Sequence, residues 1–374
     1  MSENWKVETG QRVRARVKLL GLLQKDVAHQ VGMTEDSFSR ALSGSRQFSL
    51  VEISALSEFL HVSIKWLLTG ERDRFEVKLS ARHEWNSEQK QDKPLDWSSA
   101  SSITNVVANL YGQVEIEAAE KSKVSVPENS PVETARWARS RMSAQQRVLD
   151  ADGEVLSELI EMTFGIDVLV IDPPKIFDAY SGDSGGNKFI VQSTTGNGWR
   201  ARFNIIHELG HILHGDLGYP DEPRAVRADE AWANAFAAEW LMPEDEILSF
   251  DWREASRADF ISFVGNLGVS TKALAVRVQS LNLRPNEEIL NVLASSTPAL
   301  LKEGRSPFWS HELERHYRAQ RFPARLIAAH QAAVAQGKLA PSSLAWMLGV
   351  NESEVSTSAP ATHSLTAQEL AELL

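Results

Sequence analysis

The chain of 374 residues contains no cysteine. This excludes a disulfide framework and any thiolate metal site, leaving histidine and carboxylate to hold a metal. It fits a reducing cytoplasm, the compartment expected for this chain. No apolar run approaches 18 residues, so no membrane span and no membrane partner are expected. Residues 1–10 are polar, and no signal peptide is expected there. No internal repeat is found. Residues 178–186 are glycine-rich but lack the Gly-Lys-Ser/Thr ending of a phosphate loop, and read instead as a turn beside an active site. Excess basic charge is scarce too. Residues 1–70 hold nine Lys and Arg against seven Asp and Glu, a net +2, and the rest carry −13 of the total −11. The length suits two or three domains. The eleven tryptophans lie mostly in apolar helical patterns and read as core.

What is present is the motif HExxH at His207, Glu208 and His211. Positions i and i+4 share one helix face, so both imidazoles can reach one zinc ion. Glu208 sits beside the remaining coordination position and can take a proton from water held there. Roughly 0.02 such matches are expected in a random chain of this composition. Apolar residues on both sides, Ile205 and Ile206 before and Ile212 and Leu213 after, predict a buried helix.

A third protein ligand is needed. The Ala-rich segment stopped by Pro243 carries Glu230 and Glu239. Nine residues apart, they lie roughly on opposite sides of a helix and cannot both face one metal. Glu230 is favoured: it precedes Asn234 by one turn, and Ala233 permits close helix approach. His214 shares the face of His211. The metzincin pattern is excluded, because His214 stands where it needs Gly and Leu217 where it needs the third His. His214 therefore reads as a pocket-lining residue behind the ligands or an oxyanion donor. Tyr180 and Tyr219 are further oxyanion candidates, and sequence does not choose among the three.

RFNIIHELGHILH over residues 202–214, followed by EAWANAFAAEWLMP over 230–243, resembles the ImmA/IrrE metallopeptidase family. The likeness spans roughly residues 131–283. It implies a zincin-like α+β domain with a small sheet, Glu230 as the third zinc ligand, and cleavage of DNA-binding repressor proteins. Residues 167–172 and 187–193 read as strands within it, and residues 152–164 as a helix.

Residues 1–70 show five short helical patterns, the first over residues 11–20. Two of them flank Gly32 as a helix-turn-helix would. The stretch resembles the Cro/C1-type DNA-binding domain. By that resemblance Gln24 touches phosphate, Thr34, Glu35, Ser37 and Ser39 face the major groove, and Arg40 and Arg46 lie near the backbone. Thr34 is the N-cap candidate. Glu35 and Asp36 suit the helix dipole but repel phosphate, so binding is expected to be weak per protomer and helped by dimerisation.

Residues 71–130 read as linkers around a connecting helix over 101–120 that dimerises or docks onto the peptidase part. Residues 80–96, with His83 and Trp85, read as a linker or covering arm, and residues 121–130 as a second linker. Residues 284–374 read as a helical region open to a further helix-turn-helix-like role or to ligand or partner sensing. The expectation is a multidomain, mainly α protein with operator DNA and a repressor, toxin or its own linker as partners, forming a homodimer. Its expected function is that of a DNA-binding regulator with a zinc endopeptidase domain. The alternative is a non-catalytic transcription factor or antitoxin that uses the peptidase fold as a sensor.

Overall fold

The computed structural model describes residues 5–60, 62–72, 76–80, 84–86, 91–93, 97–114, 116, 126, 130–149, 155–173, 177–219, 226–303 and 317–355. His83, the chain after residue 355 and all of the expected second linker except residues 126 and 130 lie outside them.

The first five helices are α1 (Trp5–Leu19), α2 (Gln24–Gln30), α3 (Glu35–Leu42), α4 (Leu50–Leu60) and α5 (Ile64–Thr69). They enclose a core of their own that includes Val13, Val17, Phe38, Leu42, Leu56 and Leu60. The first helix starts earlier than its apolar pattern predicts, and Gly10 lies inside it. A Cβ at Gly10 would stand 2.4 Å from the Leu42 carbonyl oxygen, so glycine permits the close crossing of α1 and α3. Thr34 caps α3 by accepting from the Ser37 amide at 3.2 Å. Arg12 on α1 donates to the carbonyls of Leu67 and Leu68 at the end of α5.

Strands β1 (Val77–Leu79), β2 (Glu84–Asn86) and β3 (Gln91–Lys93) follow. Next come α6 (Trp97–Val114), α7 (Pro131–Leu149), α8 (Val155–Phe164), β4 (Asp167–Ile171), β5 (Ala179–Ser184) and β6 (Asn187–Ser193). The sheet order is β1-β5-β6-β4, with β4 parallel to β6 and the other pairs antiparallel; β2 and β3 pair separately. Two readings are corrected here. Of the two readings of residues 80–96, the linker is corrected in part and the covering arm is not contradicted, since Ser80 continues β1 by donating its amide to the Ser181 carbonyl and β2 and β3 form a ladder. Residues 178–186 are mostly strand rather than turn. Their glycine content lowers β-propensity, but pairing on both sides overrides it. Gly182 is required there, because a Cβ would lie 2.5 Å from the Phe189 ring.

Both faces of the sheet are covered. Side chains alternate along β4, so Val168 and Val170 join one core while Leu169 and Ile171 join another. The first core packs against α9 (Gly198–His214) and α10 (Val226–Leu241). It continues through α11 (Glu244–Ser249), α12 (Arg257–Leu267), α13 (Thr271–Ser280), α14 (Glu287–Leu293) and α15 (Thr297–Glu303). Ile289, Val292, Leu293 and Leu300 thus belong to the same core as the HExxH helix, and the chain after residue 283 is not wholly separate from it. The second core is closed by α6 and by the helices Ala324–Ala335 and Ser342–Leu348. The connecting helix α6 docks on the sheet through Val107 and Tyr111. The late helices meet the same face, where Arg325 forms two bonds to Asp167 (2.8 and 2.7 Å) and Tyr111 donates to it at 2.6 Å. At the outer edge of β4, Val170 and Arg321 exchange two backbone bonds at 2.9 and 2.8 Å. Among the described residues no helix is long and apolar enough to cross a membrane.

Candidate metal centre

Local sequence fixes the HExxH helix at both ends. Asn197 accepts from the Arg200 amide at 3.0 Å, and Gly215 stops the helix in the left-handed region at φ 81°. The helix crosses α10 where Gly210 faces Ala233: a Cβ at Gly210 would stand 3.3 Å from the Ala233 Cα. That approach brings Glu230 over the two histidines.

The His207 and His211 Nε2 atoms lie 3.1 Å apart. Glu230 presents Oε2 at 3.4 Å from His207 Nε2 and Oε1 at 3.6 Å from His211 Nε2. One ligand atom from each residue falls within 4.8 Å of the others. His211 Nδ1 meets Asp216 Oδ2 at 2.6 Å, which places the ring proton on Nδ1 and turns the Nε2 lone pair into the centre. Two imidazole nitrogens and a carboxylate oxygen are a donor set for a divalent metal. Bonds of about 2.0–2.2 Å in a tetrahedron give ligand–ligand edges of roughly 3.3–3.6 Å, close to the Nε2–Nε2 separation and to the distance from each imidazole to its nearer Glu230 oxygen. The residues therefore fit a metal.

Charge tells the same story. Burial pushes the His211 imidazole down, but hydrogen bonds with Asp216 and Glu230, with the charges of Glu208 and Asp216, outweigh it and lift it to about 10. Burial opposes ionisation of Glu230, yet its bonds to His207 and His211 hold the carboxyl well below the usual range. The site is built to attract positive charge.

Glu208 is buried next to these ligands, and its Oε2 accepts from Ser181 Oγ at 2.7 Å and Ser80 Oγ at 3.1 Å. Sequence reasoning missed both serines and Asp216. Ser80 is separated from Glu208 by 128 positions, and no local pattern announces such a contact. Asp216, only five positions past His211, was within reach of a search for acceptors behind the ligands.

Glu239 points elsewhere. It is buried and paired with Arg136 at 2.9 Å and with Arg277. His214 stacks on Trp232 at 4.4 Å and approaches Asp229 at 3.7 Å, apart from the ligand cluster. Tyr180 stacks on Phe177 in the second core, while its neighbour Ser181 takes the face toward α9. Tyr180 is thus on the sheet face away from the histidines. Tyr219 lies under the Arg72 guanidinium at 4.0 Å.

In the five-helix module, Gln24, Thr34, Glu35, Ser39 and Arg40 are exposed, and Ser37 is half-buried. Arg46, expected near a DNA backbone, is held by Glu52 through two bonds of 3.0 and 2.7 Å. Arg40 lies 3.8 Å from Asp36.

The His-His-Glu group beside Glu208 could hold a metal ion, as a metallopeptidase-type site would. Residues 161–279 match the family model of the IrrE N-terminal-like domain, and the match spans the strands β4–β6, the HExxH helix and Glu230. No curated protein and no solved structure matches the chain significantly.

Proposed function

We propose that this chain is a DNA-binding regulator that carries a zinc endopeptidase, with His207, His211 and Glu230 as the zinc ligands and Glu208 as the catalytic base. The convergence of the three ligand atoms beside a buried glutamate is the observation that carries the reading. The match to the IrrE N-terminal-like domain supports it. When bound, zinc supplies a Lewis acid that polarises a peptide carbonyl and acidifies water. Asp216 orients His211 and keeps its Nε2 available. Glu208 takes the proton of the attacking water on its carboxylate and delivers it to the departing amine. Ser181 fixes Oε2 by donating to it. The substrate is a regulatory protein such as a repressor or a toxin partner, and the module of α1–α5 binds operator DNA as a homodimer through the face of α3. That face is exposed at Glu35, Ser39 and Arg40.

Metal analysis of the purified protein tests the centre. About one zinc per chain is expected in the wild type and none in His207→Ala. Glu208→Gln should keep the zinc and lose cleavage by roughly 10²–10⁴-fold; cleavage that survives this change would remove Glu208 from the mechanism. DNA binding is checked by footprinting on the chain's own upstream region at low salt, where an unprotected operator would refute that part.

A further inference from the structure

Strand β1 lies outside the residues that match the peptidase family model. Without it, β5 would be an open edge running past Glu208. An open strand edge binds extended peptide by main-chain pairing, largely independent of sequence. In this chain the place is taken. Val77, Lys78 and Leu79 pair with Ser184, Asp183 and Gly182. On the other side of β1, Leu79 and Gly218 exchange two backbone bonds at 2.9 and 3.1 Å. Gly218 lies two residues beyond Asp216, the partner of His211. Ser80 then donates its amide to Ser181 and its hydroxyl to Glu208. Ser80, Glu208 and His211 are all buried. A scissile bond must come within hydrogen-bond reach of Glu208, directly or through one water, and the Ser80 side chain stands on the β5 side of that reach, bonded to Oε2.

We propose that the β5 edge beside Glu208 is the docking surface for an extended, unfolded peptide segment, and that β1 is its resident occupant, an internal plug that must leave before substrate binds. The proposal deepens the peptidase reading and rests on it. It names the substrate as an extended segment rather than a folded surface. It also ties access to the chain leaving α5, because Arg72 lies over both Trp66 and Tyr219 and bonds Glu76 at 2.7 Å.

The absence of cysteine makes a lock simple to build. Val77 and Ser184 face each other at a position where β1 directs its backbone bonds toward Gly218, a pair with Cα atoms about 4.5 Å apart and thus within disulfide range. The full-length Val77→Cys/Ser184→Cys variant is stripped with a chelator and treated with diethylpyrocarbonate, oxidised and reduced, with the exposed His29 as internal control. Modification of His207 is expected to be at least about tenfold slower in the oxidised form, a local-opening effect, with His29 unchanged. Equal rates in the two forms would overturn the plug. Lys78→Pro removes a ladder bond and should act in the opposite sense, speeding modification of His207; an unchanged rate alongside freely exchanging Leu79 and Gly218 amides would also overturn it. Cleavage of unfolded casein by the zinc-loaded variants should follow the same order. Slower modification on locking, with casein uncut by every form, would uphold the plug as a gate and overturn the peptidase reading.

Discussion

Each face of the sheet carries a carboxylate, one buried and one half-buried, in very different company. On the back face Asp167 meets only donors: Arg325 with two bonds and Tyr111 with one. Its charge is answered within the chain. On the front face Glu230 meets two imidazole nitrogens that also face each other at 3.1 Å. Those nitrogens donate to Glu230 while protonated, and once they lose their protons three donor atoms converge on a site that a metal ion can fill. An acid met by permanent donors holds a fold together, whereas one met by imidazoles, which can exchange their protons for a metal, marks a place for a metal.

Exchanging the two acids for alanine separates these roles. Glu230→Ala should abolish zinc binding, read by metal analysis, with little change in the stability of the back-face core. The chelator-stripped wild type should then show the charge preference of the front face through its pH dependence. His211 titrates at about 10 in the fold, against about 6.5 in an unfolded chain. Its stabilising contribution is complete below about pH 6.5 and disappears as pH rises toward 10. Zinc binding should strengthen with pH over the same window, because the ligands must lose their protons. Denaturation midpoints of stripped and loaded protein from pH 6 to 10 therefore diverge; parallel curves would mean that His211 does not face the metal. Asp167→Ala should leave zinc stoichiometry at one and cost about 3–5 kcal/mol, since it strands a partly buried guanidinium, measured by urea unfolding. Asp216→Ala should weaken zinc binding by about 10–100-fold while retaining the ligands, measured by competition with a chromophoric chelator. The smallest effect is expected far from the sheet. Thr34→Ala removes the cap of α3 and should cost about 1 kcal/mol, with zinc binding unchanged.

The grouping of His207, His211 and Glu230 was largely legible in the sequence, because it follows helix geometry. His207 and His211 are one turn apart, and the opposed positions of Glu230 and Glu239 follow from the same period. Glu239 indeed turns to Arg136 and Arg277. The back face was not legible: Asp167, Tyr111 and Arg325 come from three distant segments whose local patterns say only strand or helix. Strand β1 was hidden for a related reason. Three residues are too few for a recognisable alternation, and its pairing is decided by β5 and Gly218, both remote in sequence. In β5 itself the glycines suggested a turn, while the demand of the Phe189 ring for space at Gly182 was a tertiary fact.

The sheet closes at both margins in the same manner. Leu79 is tied to Gly218 on one side and Val170 to Arg321 on the other, each by a reciprocal pair of backbone bonds. Bare strand margins template the stacking of one molecule on another and lead to aggregates. These two staples keep such margins short. Displacing β1 would remove one of them, so a molecule ready to grip a peptide is also one exposed to sticking to its own kind, and a brief opening would limit that hazard.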